Sequence, residues 1–258
     1  MGLPYGRSNS KEGQLVDPKV FGLGETRLKD FALIDSLLRR QDQFFDEIGR
    51  CIGLAEKMRT MLVSSCVFMA AYGALLGSTH SLRQALSSAA KLPLVCLVTL
   101  LICAPALYTF GVLFGANQRL SQSIALVLAA ISITSVLLFG LAPVALFFGL
   151  TTPDAYQAFK LLNVFFFAIA GCSGAACLNR GLKAISTSTP GQAAKSHWPV
   201  FWLWLVLYGF VGSQMAWTLR PFVGYPSAPF ELFRQIGGNV YTDILASAGE
   251  ILGFIIVR

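Results

Sequence analysis

Long apolar runs separated by short polar segments occupy most of this chain from residue 60 onward. A helix needs about 20 mainly apolar residues to cross the roughly 30 Å hydrocarbon core of a bilayer, and five runs reach or approach that length. They predict membrane-spanning helices at Met61–Gly77, Lys91–Gly115, Ile124–Leu150, Phe159–Cys177 and Trp198–Trp217. The pattern therefore predicts an all-α fold, a polytopic transmembrane helical bundle of five spans.

A sixth apolar stretch covers residues 244–257, but it is short and contains Glu250. A carboxylate at the centre of a span costs about 2.5–3.5 kcal/mol on insertion scales. The stretch is therefore compatible with a short sixth span, a half-inserted helix or an interfacial helix. We favour a tilted sixth element, with Glu250 satisfied against another helix and not serving as a transport carboxylate.

The first 59 residues have a different character. Residues 1–27 are rich in Gly, Pro and Ser, which predicts an irregular arm. From residue 28 to 59, apolar residues recur at steps of three and four, which predicts one unbroken amphipathic helix on the inner side. Its polar face carries mixed charge, whereas lipid adsorption prefers Lys and Arg, so packing on protein is favoured. The bundle is predicted to occupy residues 60–258.

The composition agrees with a membrane protein, because 13% of the residues are charged against roughly 25% in soluble domains. Residues 1–59 hold half of the 20 Lys and Arg residues, and the predicted inner loops add to that excess. By the positive-inside rule, the N-terminus faces the cytoplasm or its organellar equivalent. We expect a bacterial inner membrane or an organellar membrane such as the thylakoid or mitochondrial inner membrane.

The sequence offers no catalytic or metal-binding constellation. It lacks C-x-x-C, H-x-x-x-H, G-x-S-x-G and P-loop patterns, and His80 and His197 lie singly at span boundaries. The six cysteines suit small membrane-buried side chains. The basic residues do not cluster, so the net charge of +7 does not indicate nucleic-acid binding. We predict no enzyme, no metal and no resident cofactor, with a bound lipid or pigment still compatible.

Small residues mark candidate packing faces on the helices. Two glycines four residues apart let helix backbones approach closely in a membrane. A run of small residues from 168 to 176 extends the same idea over most of the fourth span. The predicted helix-packing residues are Gly73, Gly77, Gly111, Gly115, Gly171, Gly174, Gly249 and Gly253.

The segment from residue 217 to 241 is the most distinctive of the chain. Three prolines and repeated aromatic residues exclude a continuous helix there, and aromatic residues favour the membrane interface. We predict an ordered outer loop, with a lid over a cavity as the sharper alternative. The predicted loop and lipid contacts are Trp217, Arg220, Phe222, Arg234 and Tyr241.

This loop, together with Lys91-Leu92-Pro93, Pro105–Tyr108 and Lys160–Val164, resembles a family of uncharacterised bacterial multi-pass membrane proteins described as Yip1-like. That family shares an Arg-Pro-Phe-hydrophobic-Gly-x-Pro loop followed by Phe, Arg and an aromatic residue. The resemblance covers about residues 90–245. It implies a membrane domain of five or more helices and no known activity, so no functional residue is carried over.

Two functional hypotheses follow, ahead of a third, a membrane-embedded enzyme acting on lipids, which would need buried acid-base pairs that the sequence does not show. The first is a non-catalytic structural or accessory subunit of a larger membrane complex, such as a photosynthetic or respiratory one, which fits the small-residue faces and the amphipathic helix. The second is a transporter or channel for a neutral or lipid-like solute, suggested by Pro105 and Pro143 inside predicted spans and by the outer loop. The expected partners are membrane lipids and other membrane subunits.

Overall fold

The structure is a computed structural model that describes residues 33–79, 81–114, 119–151, 156–187 and 198–222, together with residues 241, 242 and 244. Within this part the chain is helical and contains no strand, which confirms the predicted all-α fold. The helices are α1 at residues 33–39, α2 at Gln41–Gly49, α3 at Leu54–Ser78, α4 at Leu82–Leu113, α5 at Leu120–Thr151, α6 at Tyr156–Thr187 and α7 at Trp198–Thr218.

Five of the described helices, α3 to α7, are long and apolar enough to cross a membrane. The protein is therefore a multi-pass integral membrane protein, as its hydropathy predicts. The helices extend beyond the predicted spans by up to ten residues at a single end. At α4 the predicted start, Lys91, is nine residues too late, because the polar stretch before it is helical and buries Gln84 and Ser88 on one face. Ser81 caps this helix by accepting a hydrogen bond from the backbone N–H of Gln84.

The N-terminal amphipathic helix is not continuous, contrary to the prediction. It breaks at Arg40 and again at residues 50–53, where Cys51 and Gly53 adopt left-handed backbone conformations. These breaks let α2 fold back onto the bundle instead of continuing straight into α3. Phe45 and Ile48 are fully buried as a result. The predicted arm at residues 1–27 and the start of the predicted helix lie outside the described residues.

Polar contacts hold α2 against the bundle. The side-chain amide of Gln122 in α5 donates to the carbonyl of Gly49 at 2.8 Å. Arg180 in α6 donates to the side-chain oxygen of Gln41 at 2.8 Å. The apolar face of α2 therefore packs on the protein's own helices α5 and α6.

The bundle is built around α5, whose span is 61% buried against 22% for α7. Helix α3 packs against α4 and α5, α5 packs against α6, and α4 packs against α7. Helices α6 and α7 approach each other at few positions. We call the end where α3, α5 and α7 finish and where α4 and α6 begin the Arg220 end. The opposite end, which carries α2, is the α2 end.

Candidate ligand cavity

A cavity of about 760 Å³ lies between α6 and α7, with α3, α4 and α5 behind it. Small-molecule sites in proteins occupy roughly 300–1,000 Å³, so its size suits a bound organic molecule. Val164, Gly171 and Gly209 line it and are exposed. The cavity is therefore open along part of its wall.

The cavity exists because two facing helix surfaces carry small residues and do not close on each other. On α7 the lining includes Gly209, Gly212 and Ala216. On α6 it includes Gly171, where an added Cβ would meet no atom of the described residues within 4 Å, as is also true at Gly209. Small residues usually let membrane helices touch, but here they leave open space.

The cavity is elongated along the bundle. Its lining extends along α6 from Gln157 to Leu178, which corresponds to about 31 Å at the helical rise of about 1.5 Å per residue. Along α7 it extends from Trp204 to Trp217, or about 20 Å by the same rise. These lengths are comparable with the hydrocarbon thickness of a bilayer. The shape therefore suits a chain-like apolar group lying parallel to the helices.

Polar side chains gather where the cavity meets the Arg220 end. Gln157, Lys160 and Asn163 come from the first two turns of α6, and Trp217 and Arg220 come from the end of α7. The guanidinium carbon of Arg220 lies 3.5 Å from the ring centroid of Trp217. Trp217 is 8% exposed, and its indole Nε1 has no hydrogen-bond partner among the described residues. This end therefore combines two cations with a buried neutral donor.

The backbone after Arg220 is anchored to α4. The side-chain amide of Gln84 donates to the carbonyl of Pro221 at 2.9 Å, and Lys91 reaches the same oxygen at 3.5 Å. The hydroxyl of Ser88 donates to the carbonyl of Phe222. Gln84, Ser88 and Lys91 are all buried and are spaced along one face of α4. We call these contacts the α4 latch, and they fix the position at which Arg220 leaves α7.

The deeper part of the cavity is apolar and aromatic. The indole N–H of Trp204 donates to the carbonyl of Cys103, with 2.8 Å between nitrogen and oxygen. The Trp204 ring stacks on Tyr208, with 4.8 Å between the ring centroids. Thr99, which is 1% exposed, carries a hydroxyl without a partner among the described residues. The cavity thus has one polar end and a long apolar body, which is the polarity of an amphiphile.

The predicted packing glycines have several locations. Gly73 and Gly77 face α4 so closely that a Cβ would lie 2.4 Å from the carbonyl oxygen of Ser88 or 2.5 Å from that of Gln84. At Gly174 a Cβ would lie 2.4 Å from the hydroxyl of Thr134 in α5, whereas Gly171 has no packing partner within the described chain. Gly111 is buried in α4. Gly115, Gly249 and Gly253 lie outside the described residues.

Some of the predicted loop residues lie at the cavity, and others lie outside the described residues. Trp217, Arg220 and Phe222 line the polar end of the cavity, and Trp217 itself is still helical. The hydroxyls of Tyr241 and Ser213 are 3.0 Å apart, beside the same cavity. Arg234 and most of the predicted loop, residues 223–240, lie outside the described residues.

Sequence reasoning missed the α4 latch and the cavity face of α7. Steps of four and three residues separate Gln84, Ser88 and Lys91, which is a helical spacing. It was overlooked because the stretch is polar and precedes the apolar run. Gly209, Gly212, Ser213 and Ala216 follow the same spacing within the fifth span. Both spacings can be seen in the sequence, but neither shows which helix, backbone segment or cavity these residues face.

Known proteins give no further guide to the ligand. Comparisons with protein-family models, curated proteins and solved structures each gave no match for this chain. Function must therefore be inferred from the shape and chemistry of the cavity.

Proposed function

We propose that this protein binds a lipid-like amphiphile in the cavity between α6 and α7 and carries it within or across the membrane. The observation that supports this function is the elongated apolar cavity with polar groups at one end. An amphiphile matches that polarity along its length. The exposed lining residues Val164, Gly171 and Gly209 offer it a route from the surrounding lipid.

A small ion is a poor fit for the same cavity. Its deep wall consists of apolar and aromatic residues, which cannot replace the hydration shell of an ion. Acyl chains need no such replacement and gain close contacts where empty space would otherwise leave the wall without partners. The apolar body of the cavity therefore favours a hydrocarbon chain as its occupant.

The test is to fill the cavity without disturbing the helices. We expect Gly171→Leu and Gly209→Leu to remove co-purifying lipid, because both side chains enter open space in the cavity. Gly140→Leu is the matched control, since a Cβ there also meets none of the described residues within 4 Å but Gly140 does not line the cavity. Bound lipid is quantified by mass spectrometry after extraction in mild detergent.

The outcomes separate clearly. Loss of lipid from both cavity variants, with the control unchanged, would support the proposal. Equal lipid in all three variants would reject the cavity as the binding site. Transfer of a fluorescent lipid between vesicles, with and without the reconstituted protein, then tests carriage directly.

The second candidate is an accessory subunit of a larger membrane complex, such as a photosynthetic or respiratory one. It is favoured by a face of α6 on which Ala168, Cys172 and Ala176 recur every four residues and are exposed. Such a face lets another membrane helix approach closely. A large native particle with stoichiometric partners after mild extraction would support this function, and a particle of one or two chains would reject it.

Location and orientation also remain proposals. We place the chain in a bacterial inner membrane or an organellar membrane, with the N-terminus inside. In that orientation the Arg220 end, and with it the polar end of the cavity, faces the outer side. Protease access to tags placed before α1 and after residue 258 tests the arrangement.

A further inference from the structure

We propose that Cys66 in α3 and Cys96 in α4 form an oxidative modification site, a pair of thiols that closes to a reversible disulfide beside the large cavity between α6 and α7. All six cysteines are free in this structure, which therefore shows the site in its reduced form. The inference concerns the contact of α3 with α4. It goes beyond the proposed function and does not depend on which ligand the large cavity holds.

The register of α3 against α4 places the two cysteines opposite each other. The two helices follow one another in the chain and run antiparallel, and a Cβ on Gly73 would lie 3.2 Å from the Cα of Ala89, so these two positions face each other. Cys66 lies seven residues before Gly73, and Cys96 lies seven residues after Ala89. Seven residues are close to two helical turns. Both cysteines therefore fall on the contacting faces, at the same level.

A small void between the two helices supports this register. It has a volume of about 10 Å³, and each α3 position in its lining faces one of the α4 positions in the same register. The lining includes both cysteines, with Leu62, Ser65 and Met69 from α3 and Pro93, Leu97 and Leu100 from α4. The void lies where two short side chains meet among longer ones. The thiols of Cys66 and Cys96 are also close enough to interact electrostatically.

The close packing of α3 on α4 suits a covalent bridge. A disulfide needs Cα atoms about 4.4–6.8 Å apart and side chains that point towards each other. Gly73 and Gly77 bring the two backbones into direct contact, and no other pair of described helices packs as extensively as α3 and α4. We therefore expect the Cα atoms of Cys66 and Cys96 to lie within the range that a disulfide requires.

Cys103 offers a comparison within the same helix. It lies seven residues after Cys96 and so shares its face of α4. The register places Arg59 of α3, and not a cysteine, opposite Cys103. Cys103 therefore has the same helical phase as Cys96 but no facing thiol, and oxidation should not bridge it to α3.

The oxidant that we assign to the site is hydrogen peroxide, which is small and uncharged. Cys96 lines the large cavity as well as the void, so its sulfur is the first that the oxidant reaches. This sulfur attacks one peroxide oxygen, the O–O bond breaks, and the thiol proton leaves with the released hydroxide as water, which gives a sulfenic acid. The sulfur of Cys66 then attacks the sulfenic sulfur, the S–O bond breaks, and its proton and the hydroxyl leave as a second water. Two thiols and one peroxide thus give one disulfide and two waters.

The first experiment counts thiols in the full chain. The protein in mild detergent is treated with hydrogen peroxide, unfolded, alkylated with N-ethylmaleimide and weighed by mass spectrometry. We expect the number of alkylated thiols to fall by two, from six to four, and to return to six after dithiothreitol. A digest made without reduction should contain one pair of peptides joined through Cys66 and Cys96. Six thiols after oxidation, or a bridge between other cysteines or between two chains, would overturn the proposal.

Variants then test the register. Cys66→Ser and Cys96→Ser should each abolish the bridge, whereas Cys103→Ser, the matched control on the same face of α4, should form it as the wild type does. Leu62→Cys combined with Cys66→Ser moves the α3 thiol by one turn, about 6 Å along the helix, and should form no bridge to Cys96. A bridge in that double variant would mean that the facing positions do not select the pair, and would overturn the proposal.

The order of the two steps has a readout of its own. In Cys66→Ser the sulfenic acid formed at Cys96 has no facing thiol, so dimedone should label it. In Cys96→Ser, labelling of Cys66 should be several-fold weaker, because Cys66 is not among the described lining residues of the large cavity. Equal labelling in the two variants would overturn the assignment of Cys96 as the thiol attacked first. Should a serine variant fail to fold, the peptide map of the wild type decides whether the bridge forms.

Discussion

The hydroxyl of Tyr72 in α3 donates a hydrogen bond to Oδ1 of Asn163 in α6 at 2.7 Å. Both residues are buried, and Nδ2 of Asn163 donates in turn to the carbonyl of Phe159 at 2.8 Å. The backbones of α3 and α6 hardly approach each other, so this pair joins the two helices through side chains, together with the ring contact of Tyr72 with Phe167. Asn163 also lines the cavity, and the bond therefore braces part of its wall.

Removing this bond should destabilise the bundle. We expect Tyr72→Phe to lower the free energy of unfolding by roughly 0.5–2 kcal/mol, because it leaves the amide oxygen of Asn163 buried without its donor. Thermal unfolding in detergent measures the loss, and Tyr108→Phe on an exposed part of α4 is the control. In an Asn163→Ala background the same change should cost much less. An equal loss in both backgrounds would contradict the bond's contribution.

The close contact of α3 with α4 should not tolerate a methyl group. Gly73→Ala and Gly77→Ala place a Cβ within 2.4–2.5 Å of backbone carbonyl oxygens, and backbone atoms cannot move aside as a flexible side chain can. We expect each to destabilise the protein by about 1–3 kcal/mol, the usual range for overpacking. Gly140→Ala, where a Cβ meets no described residue within 4 Å, should be tolerated. Unfolding midpoints of the three variants decide between these expectations.

Loss of the α4 latch should loosen the end of α7. Gln84→Leu leaves the carbonyl of Pro221 without its 2.9 Å donor. We expect faster hydrogen exchange at the amides of Leu219, Arg220 and Phe222. Arg83→Leu, at the exposed neighbouring position, should leave the exchange unchanged. Unchanged exchange in Gln84→Leu would show that the other contacts hold this segment by themselves.

Thr99 and Thr134 should respond in opposite ways to the same substitution. Thr99→Val removes a buried hydroxyl that has no partner among the described residues, so stability should stay the same or rise by about 1 kcal/mol. Thr134→Val removes a hydroxyl that donates to Ala130 at 3.0 Å and lies 3.2 Å from the carbonyl of Ala170, so a loss of about 0.5–1.5 kcal/mol is expected. Unfolding midpoints measured without added lipid test both. A clear loss in Thr99→Val would mean that its hydroxyl is satisfied.

Docking of α2 should weaken in acid. The hydrogen bond from Lys57 to Glu47 is the largest influence on this carboxylate and holds its pKa below the ordinary value of 4.5. Its contribution to stability is therefore fully present above pH 4.5 and is lost as the pH falls through the lowered pKa. Hydrogen exchange of α2 between pH 3 and 7 should show this loss. Glu47→Gln should remove the dependence and Glu56→Gln should not.

The sequence by itself determined the membrane architecture of this protein. Apolar runs of about 20 residues cannot be solvated by water, so their positions predict the five spans before any packing is known. Gly73 and Gly77 also predict a close contact between two helices, but they do not indicate which helix is the second one. These features depend on neighbours within one helix, which is why periodicity and length suffice to read them.

The tertiary structure decided where α2 lies, how α4 begins and that a cavity remains between α6 and α7. The breaks at Arg40 and at residues 50–53 have no strong breaker residue apart from Gly53, and they form because burial of Phe45 and Ile48 on α5 and α6 outweighs helix continuity. The small residues of α6 predict a packing surface in the sequence, whereas the small face of α7 was not predicted. They line a cavity because the arrangement of α4 and α5 between them keeps the two helices apart, and only the assembled bundle determines that distance.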